Sequence, residues 1–207
     1  MEIVVLPVGP LQANCCLLSD EEKNTVVVDP GGDAGRILEE IRRRGLLVRA
    51  VLLTHVHFDH MLAAGEIQAA SGAPLWVPQG DEAALADPSR SLLAELPAQN
   101  RLALRADRLV RDGEILHVGG LRLEVLATPG HTPGSSCYRC GNALLTGDTL
   151  FKAGVGRTDF PGGDSRALSR SLRRLVNLQG DYTVVPGHGP ATTLAAERQS
   201  NPYMALL

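Results

Sequence analysis

Short apolar runs separated by turn residues dominate the chain, and the spacing of its apolar positions switches between two periods. Residues 1–7 and 14–19 read as short strands, and 25–29 is an apolar run closed by Pro30-Gly31-Gly32. Over 34–44 the period lengthens to that of a helix. Ile37, Leu38 and Ile41 share one face, and Gly45 stops the run. Residues 49–53 form a buried-type strand that leads straight into Thr54-His55. A helix is predicted over about 61–70, with Gly72 after it, and a short strand over 75–77. Pro78, Pro88 and Pro97 cut 79–111 into short helical pieces expected to lie over one face.

From Glu114 onward the pattern becomes one of hairpins. Strands are predicted at 115–118, 121–127, 136–139 and 143–146, with Gly119-Gly120 and Gly141-Asn142 as two-residue turns. An amphipathic helix over 168–178, a strand over 183–185 and a last helix over 193–200 complete the chain. Each half thus mixes strands, hairpins and helices. That predicts an α/β (α+β) fold in which two sheets pack face to face with helices outside, a four-layer αββα sandwich. A length of 207 residues suits a single domain spanning 1–207.

Composition narrows the function class. Aromatic residues make up 3% of the chain, so the core must be aliphatic. A formal net charge of −3 argues against a nucleic-acid partner, which a basic face would serve. The N-terminus has no basic region followed by an apolar run, and no segment reaches the roughly 20 apolar residues of a membrane span, so a cytoplasmic protein without a membrane partner is expected. Four cysteines, Cys15-Cys16 and Cys137-x-x-Cys140, do not make a disulfide framework. The first pair reads as strand packing and the second as half-buried residues flanking a hairpin turn. His117, inside a strand pattern, reads as structural, and the Arg42-Arg43-Arg44 and Arg173-Arg174 runs as solvated helix faces.

The other five histidines stand at strand ends. Thr54-His55-Val56-His57-Phe58-Asp59-His60 places four ligand-type side chains within six residues, just past a buried strand. In an extended segment His55 and His57 point to the same side, and Asp59 and His60 fall where the chain turns into a helix. Burying such a group without a cation would be costly, whereas imidazole and carboxylate are common ligands of divalent metals. Three more candidates follow strands: His131 in Thr128-Pro129-Gly130-His131, Asp148 in Thr146-Gly147-Asp148-Thr149, and His188 in Pro186-Gly187-His188-Gly189. One metal needs about four ligands, so this set is large enough for two.

Taken in order, T-H-x-H-x-D-H, P-G-H-T, T-G-D-T and P-G-H-G resemble the metallo-β-lactamase superfamily, over most of the chain. Within it the chain is similar to type II glyoxalases, the hydroxyacylglutathione hydrolases, in a short single-domain form. The resemblance implies that His55, His57 and His131 hold a first metal, that Asp59, His60 and His188 hold a second, and that Asp148 bridges them. Asp29 matches a position beside the metal ligands. The loop Gly154-Val155-Gly156-Arg157-Thr158-Asp159-Phe160 resembles a substrate-side loop, which makes Phe151, Lys152 and Arg157 candidate substrate contacts; Tyr138 is a weaker one. Asp159 and Pro190 stand where longer glyoxalases carry tyrosines that meet glutathione, and no counterpart of their C-terminal helical domain is seen. A class B β-lactamase is not the expected activity, because the resemblance there stops at His-x-His-x-Asp and those enzymes use a cysteine where Asp148 stands.

The implied reaction is hydrolysis of a small-molecule thioester such as S-lactoylglutathione. Water on a divalent cation has its pKa drawn toward about 7, and a thiolate of pKa about 8.5 leaves without a dedicated acid. Asp59 is the expected ligand that also orients the nucleophile. Zinc is the expected ion of the pair, with iron and manganese compatible with the donor set. Two other readings belong to different classes. One is a persulfide dioxygenase holding a single iron through His55, His131 and Asp148; the other is a metal-binding module without catalysis.

Overall fold

A computed structural model of the chain describes residues 1–97 and 103–205, so residues 98–102 of the 79–111 stretch lie outside the description. Strands β1 (Glu2–Val8), β2 (Ala13–Ser19), β3 (Asn24–Val28), β4 (Leu47–Leu52), β5 (Leu75–Pro78) and β6 (Arg108–Val110) form one six-stranded sheet in chain order. Its first three strands are antiparallel and its last four parallel. The second sheet holds β7 (Ile115–Val118), β8 (Leu121–Ala127), β9 (Ser136–Cys140), β10 (Ala143–Gly147), β13 (Thr183–Pro186) and β14 (Thr192–Thr193), in the order β14-β13-β10-β9-β8-β7. A separate hairpin pairs β11 (Leu150–Phe151) with β12 (Gly154–Val155).

Period-two alternation explains the layering. Cys16 and Leu18 of β2, Val26 and Val28 of β3, and Ala50 and Leu52 of β4 join one core with Leu123 and Val125 of β8, Tyr138 of β9 and Leu145 of β10. Their neighbours Cys15, Leu17, Val27 and Val51 point the other way, against Ile37 and Ile41 of α1 (Ala34–Arg44) and Ile67 of α3 (Ala64–Ser71). On the far side, Cys137, Leu144 and Val184 pack against Leu168, Leu172 and Leu175 of α4 (Ser165–Val176) and Leu194 of α5 (Leu194–Ser200). Each such buried leucine contributes about 1.5–3 kcal/mol. The layers therefore run helix, sheet, sheet, helix. Among the described residues no helix is long and apolar enough to cross a membrane.

Several expectations change. The helix predicted over 61–70 is two pieces, α2 (Phe58–Met61) and α3. The Ala63 amide donates to the Pro30 carbonyl at 2.9 Å, and that diverted bond separates them. Short β6, β11, β12 and β14 carry too few residues to show a period. Cys137 and Cys140 are not half-buried: both are buried, and they face opposite sides of the second sheet. His117 is an exposed position of β7. Tyr138 is wholly buried and donates its hydroxyl to the Leu53 carbonyl at 2.6 Å, so it is a core residue and not a substrate contact.

Strand direction sets where chemistry collects. Parallel β3 and β4 end at one edge of the first sheet, with Asp29 and His55 just beyond. Strands β8, β10 and β13 share one direction in the second sheet, and their ends lead to His131, Asp148 and His188. The Ser136 amide donates to the Thr54 carbonyl at 3.0 Å and the Asn14 amide to the Gly187 carbonyl at 2.7 Å, which pins the two edges together.

Candidate metal centre

The structure gathers all seven candidate side chains at that joint edge. His55, His57 and His131 form one cluster, Asp59, His60 and His188 another, and His55, His60 and Asp148 a third; within each, ligand atoms lie within 4.8 Å of one another. Asp148 stands between the first two. Its Oδ1 is 3.4 Å from His60 Nε2, and its Oδ2 is 3.6 Å from His131 Nε2 and 3.7 Å from His188 Nε2. Asp59 Oδ2 lies 3.1 Å from His188 Nε2.

Hydrogen bonds at the back of each ring decide which nitrogen faces the centre. His131 Nδ1 donates to the Arg157 carbonyl at 2.7 Å, His188 Nδ1 to the Leu11 carbonyl at 3.1 Å, and His60 Nδ1 to Asp29 Oδ2 at 3.0 Å. The Thr54 hydroxyl gives its proton to Asp29 and so accepts from His55 Nδ1 at 3.0 Å. These four rings therefore turn Nε2 inward, the arrangement by which an acceptor behind a histidine orients it toward a metal. His57 turns the other way, with its Nδ1 2.9 Å from His131 Nε2.

Charge and burial agree with a cation at the centre. Burial first, then the neighbouring imidazoles, push His55 well below the usual histidine range, and burial with His131 carries His57 down to about 3. Both are neutral at pH 7 and free to ligate. Burial also works to lower His60, but Asp148, Asp29 and Asp59 outweigh it and raise the ring to about 10. Burial works to raise Asp59, yet His188 and His60 hold its carboxyl at about 2, so it is an anion. His55 Nε2, His57 Nε2 and Asp148 Oδ1 are buried without a hydrogen-bond partner. Such orphaned atoms cost about 1–3 kcal/mol each. A divalent ion held by imidazole and carboxylate fits these residues.

The cavity over this centre measures about 420 Å³, and its wall includes Leu11, Phe58, Leu92, Phe151, Val155 and Phe160. Of the three candidate substrate contacts, Phe151 and Arg157 line it. Lys152 does not: it sits exposed at the turn of the β11–β12 hairpin.

Asp81 was marked by no motif, yet it holds the two main histidine loops in register. Its Oδ2 accepts from the Thr132 hydroxyl at 2.8 Å and the Val56 amide at 3.2 Å, and its Oδ1 accepts from the Gly134 amide at 2.7 Å. Val56 lies between His55 and His57, and Thr132 follows His131. Asp81→Asn turns one of these acceptors into a donor facing an N–H or O–H. Thermal denaturation is expected to show a loss of about 2–3 kcal/mol, or roughly 4–12 °C in Tm.

Comparison with known proteins agrees with this geometry. The profile of the Metallo-beta-lactamase superfamily matches residues 8–188. The hydroxyacylglutathione hydrolase GloC of Haemophilus influenzae is 38% identical over 208 residues, covering 99% of this chain and 98% of that protein. Among solved structures, the BLEG-1 B3 metallo-beta-lactamase superposes with a TM-score of 0.93 at 34% identity, covering 98% and 99% of the two chains. TTHA1623, crystallised in a di-iron-bound form, superposes at 0.84 with 35% identity, covering 98% and 100%. With its αββα layers and its histidine and aspartate cluster at the shared sheet edge, the chain belongs to the metallo-beta-lactamase superfamily.

Proposed function

We propose that this protein is a dinuclear metallo-hydrolase that cleaves thioesters of small acylated thiols, of the S-lactoylglutathione type. The observation that carries the reading is the set of inward-facing Nε2 atoms of His55, His60, His131 and His188 around a shared Asp148, with buried atoms left unpaired. The likeness to a hydroxyacylglutathione hydrolase over almost the whole chain supports the reaction class.

His55, His57, His131 and Asp148 would hold one ion, and Asp59, His60, His188 and Asp148 the other. A bound pair of divalent ions supplies Lewis acidity and a water acidified toward neutral pH. The remaining work falls to the chain. Asp59, anionic and bonded to His188, orients the attacking water from its carboxylate. The apolar wall keeps bulk water from the acyl carbon, and Phe58, Phe151 and Phe160 position the acyl group. No side chain need protonate the leaving sulfur, because a thiolate of pKa about 8.5 departs unaided near neutral pH.

The test joins metal analysis of the purified protein to a thioester assay. Two ions per chain and S-lactoylglutathione turnover are expected. Dialysis against a chelator should lower turnover at least a hundredfold, and zinc, iron or manganese should restore it. One iron per chain, with oxygen uptake on a persulfide and intact thioester, would instead establish the dioxygenase reading. Rapid cleavage of a chromogenic cephalosporin alone would establish a lactamase.

A further inference from the structure

Arg157 is the only lysine or arginine lining the cavity among the described residues, and it is already spent. Its Nε and Nη2 both donate to the Asp159 carboxylate at 2.6 Å, a two-pronged pair. The same guanidinium lies 4.0 Å from the centroid of the Phe160 ring. That ring meets His57 edge to face at 5.7 Å, and the Arg157 carbonyl takes the proton of His131 Nδ1. The Arg157 guanidinium is thus held by a carboxylate and a ring, its backbone is tied to His131, and its charge is paired two residues away, in an exposed ion pair. The rest of the outer wall, Leu11, Leu92, Phe151 and Val155, is apolar.

Resting on the thioester reading above, we propose that Asp159 is a specificity determinant. It pairs the charge of Arg157, so that the wall beyond the metal centre takes neutral and anionic thiol portions alike and gains nothing from a carboxylate there. Within the thioester class the wall then gives an anionic thiol no advantage over a neutral one of the same size, and the Arg157–Asp159 pair is the element that would have to change for an anionic thiol to be favoured. The net charge of the wall, not the presence of an arginine, sets this preference, because an anionic substrate sees the sum of the two groups.

Two thioesters of matched size test it on the metal-loaded enzyme: S-acetyl-N-acetylcysteamine, which is neutral, and S-acetyl-3-mercaptopropionate, which is anionic. The readout is the ratio of their kcat/KM values, anionic over neutral. In the natural protein the ratio is expected near or below one. Asp159→Asn, which keeps the shape and one acceptor for Arg157, should raise it about fivefold, and Arg157→Gln should lower it by a similar factor. Both shifts should shrink in 0.5 M salt, by about half or more, because the groups are exposed. A natural ratio above about 10, or variant ratios within twofold of the natural one, would overturn the proposal. Calorimetric binding of the corresponding S-ethyl thioethers, which cannot be hydrolysed, reads the same ratio without turnover. If neither thioester is cleaved but the binding ratios shift as stated, the hydrolase reading fails and this one stands. If both are cleaved and the ratios do not move, this one fails alone.

Discussion

Asp148→Ala is expected to cut thioester turnover by about a thousandfold or more, the loss of several kcal/mol of transition-state stabilisation at about 1.4 kcal/mol per factor of ten. No other side chain can replace it. Its two oxygens divide between His60 on one side and His131 and His188 on the other, so it is the only carboxylate that reaches both clusters among the described residues. Its removal leaves each cluster with neutral or cationic rings and one fewer anion to hold a second ion. Metal analysis of the variant should find at most about one ion per chain at concentrations that load the natural protein with two. The fold should persist, since Asp148 lies at the cavity and packs no core layer. A variant with more than a tenth of the natural turnover and both ions still bound would sink the assignment of Asp148 as the shared ligand.

Gly31→Ala is expected to have the largest effect on stability. A Cβ at residue 31 would stand 1.6 Å from the Asp59 carbonyl oxygen and 2.7 Å from its carbon. Both neighbours are backbone, so no side chain can swing aside. Relief requires moving either the Pro30-Gly31 turn or helix α2, and α2 carries Asp59 and His60. The Pro30 carbonyl is already tied to the Ala63 amide, so the shift would also break the bond that separates α2 from α3. The cost belongs at the upper end of overpacking, about 3 kcal/mol or more, and Tm should fall by roughly 6–12 °C. Gly35→Ala is the matched control. It lies in α1 with nothing within 4 Å of an added Cβ, so it should be neutral or stabilising by up to about 1 kcal/mol. Thermal melts of both variants in the presence of chelator separate the backbone clash from any effect on metal binding; equal Tm values would contradict the close approach at Gly31.

Much of the architecture was legible because it is local. Helix α1 begins and ends where the 3.6-residue period and Gly45 place it. The hairpins β7–β8 and β9–β10 join at Gly119-Gly120 and Gly141-Asn142, where the turn residues stand. Illegible elements were short or broken by long-range bonds. Strand β6 has three residues and pairs with β5, thirty-odd residues earlier in the chain, and the split between α2 and α3 is decided by a carbonyl far back at Pro30.

For the candidate site, the chain alone singled out His55, His57, Asp59, His60, His131, Asp148 and His188, since strand-end motifs concentrate ligand-type residues where apolar patterning stops. Which nitrogen each histidine turns inward, the bracing role of Asp81, the exclusion of Lys152 and Tyr138 from the cavity and the cancellation of Arg157 by Asp159 emerged only from the folded chain. The division has one physical cause. Periodicity and turn chemistry are written within a few neighbouring residues, whereas His60 and His188 stand 3.3 Å apart across 128 positions of sequence, a distance set by the direction and pairing of strands in two different sheets.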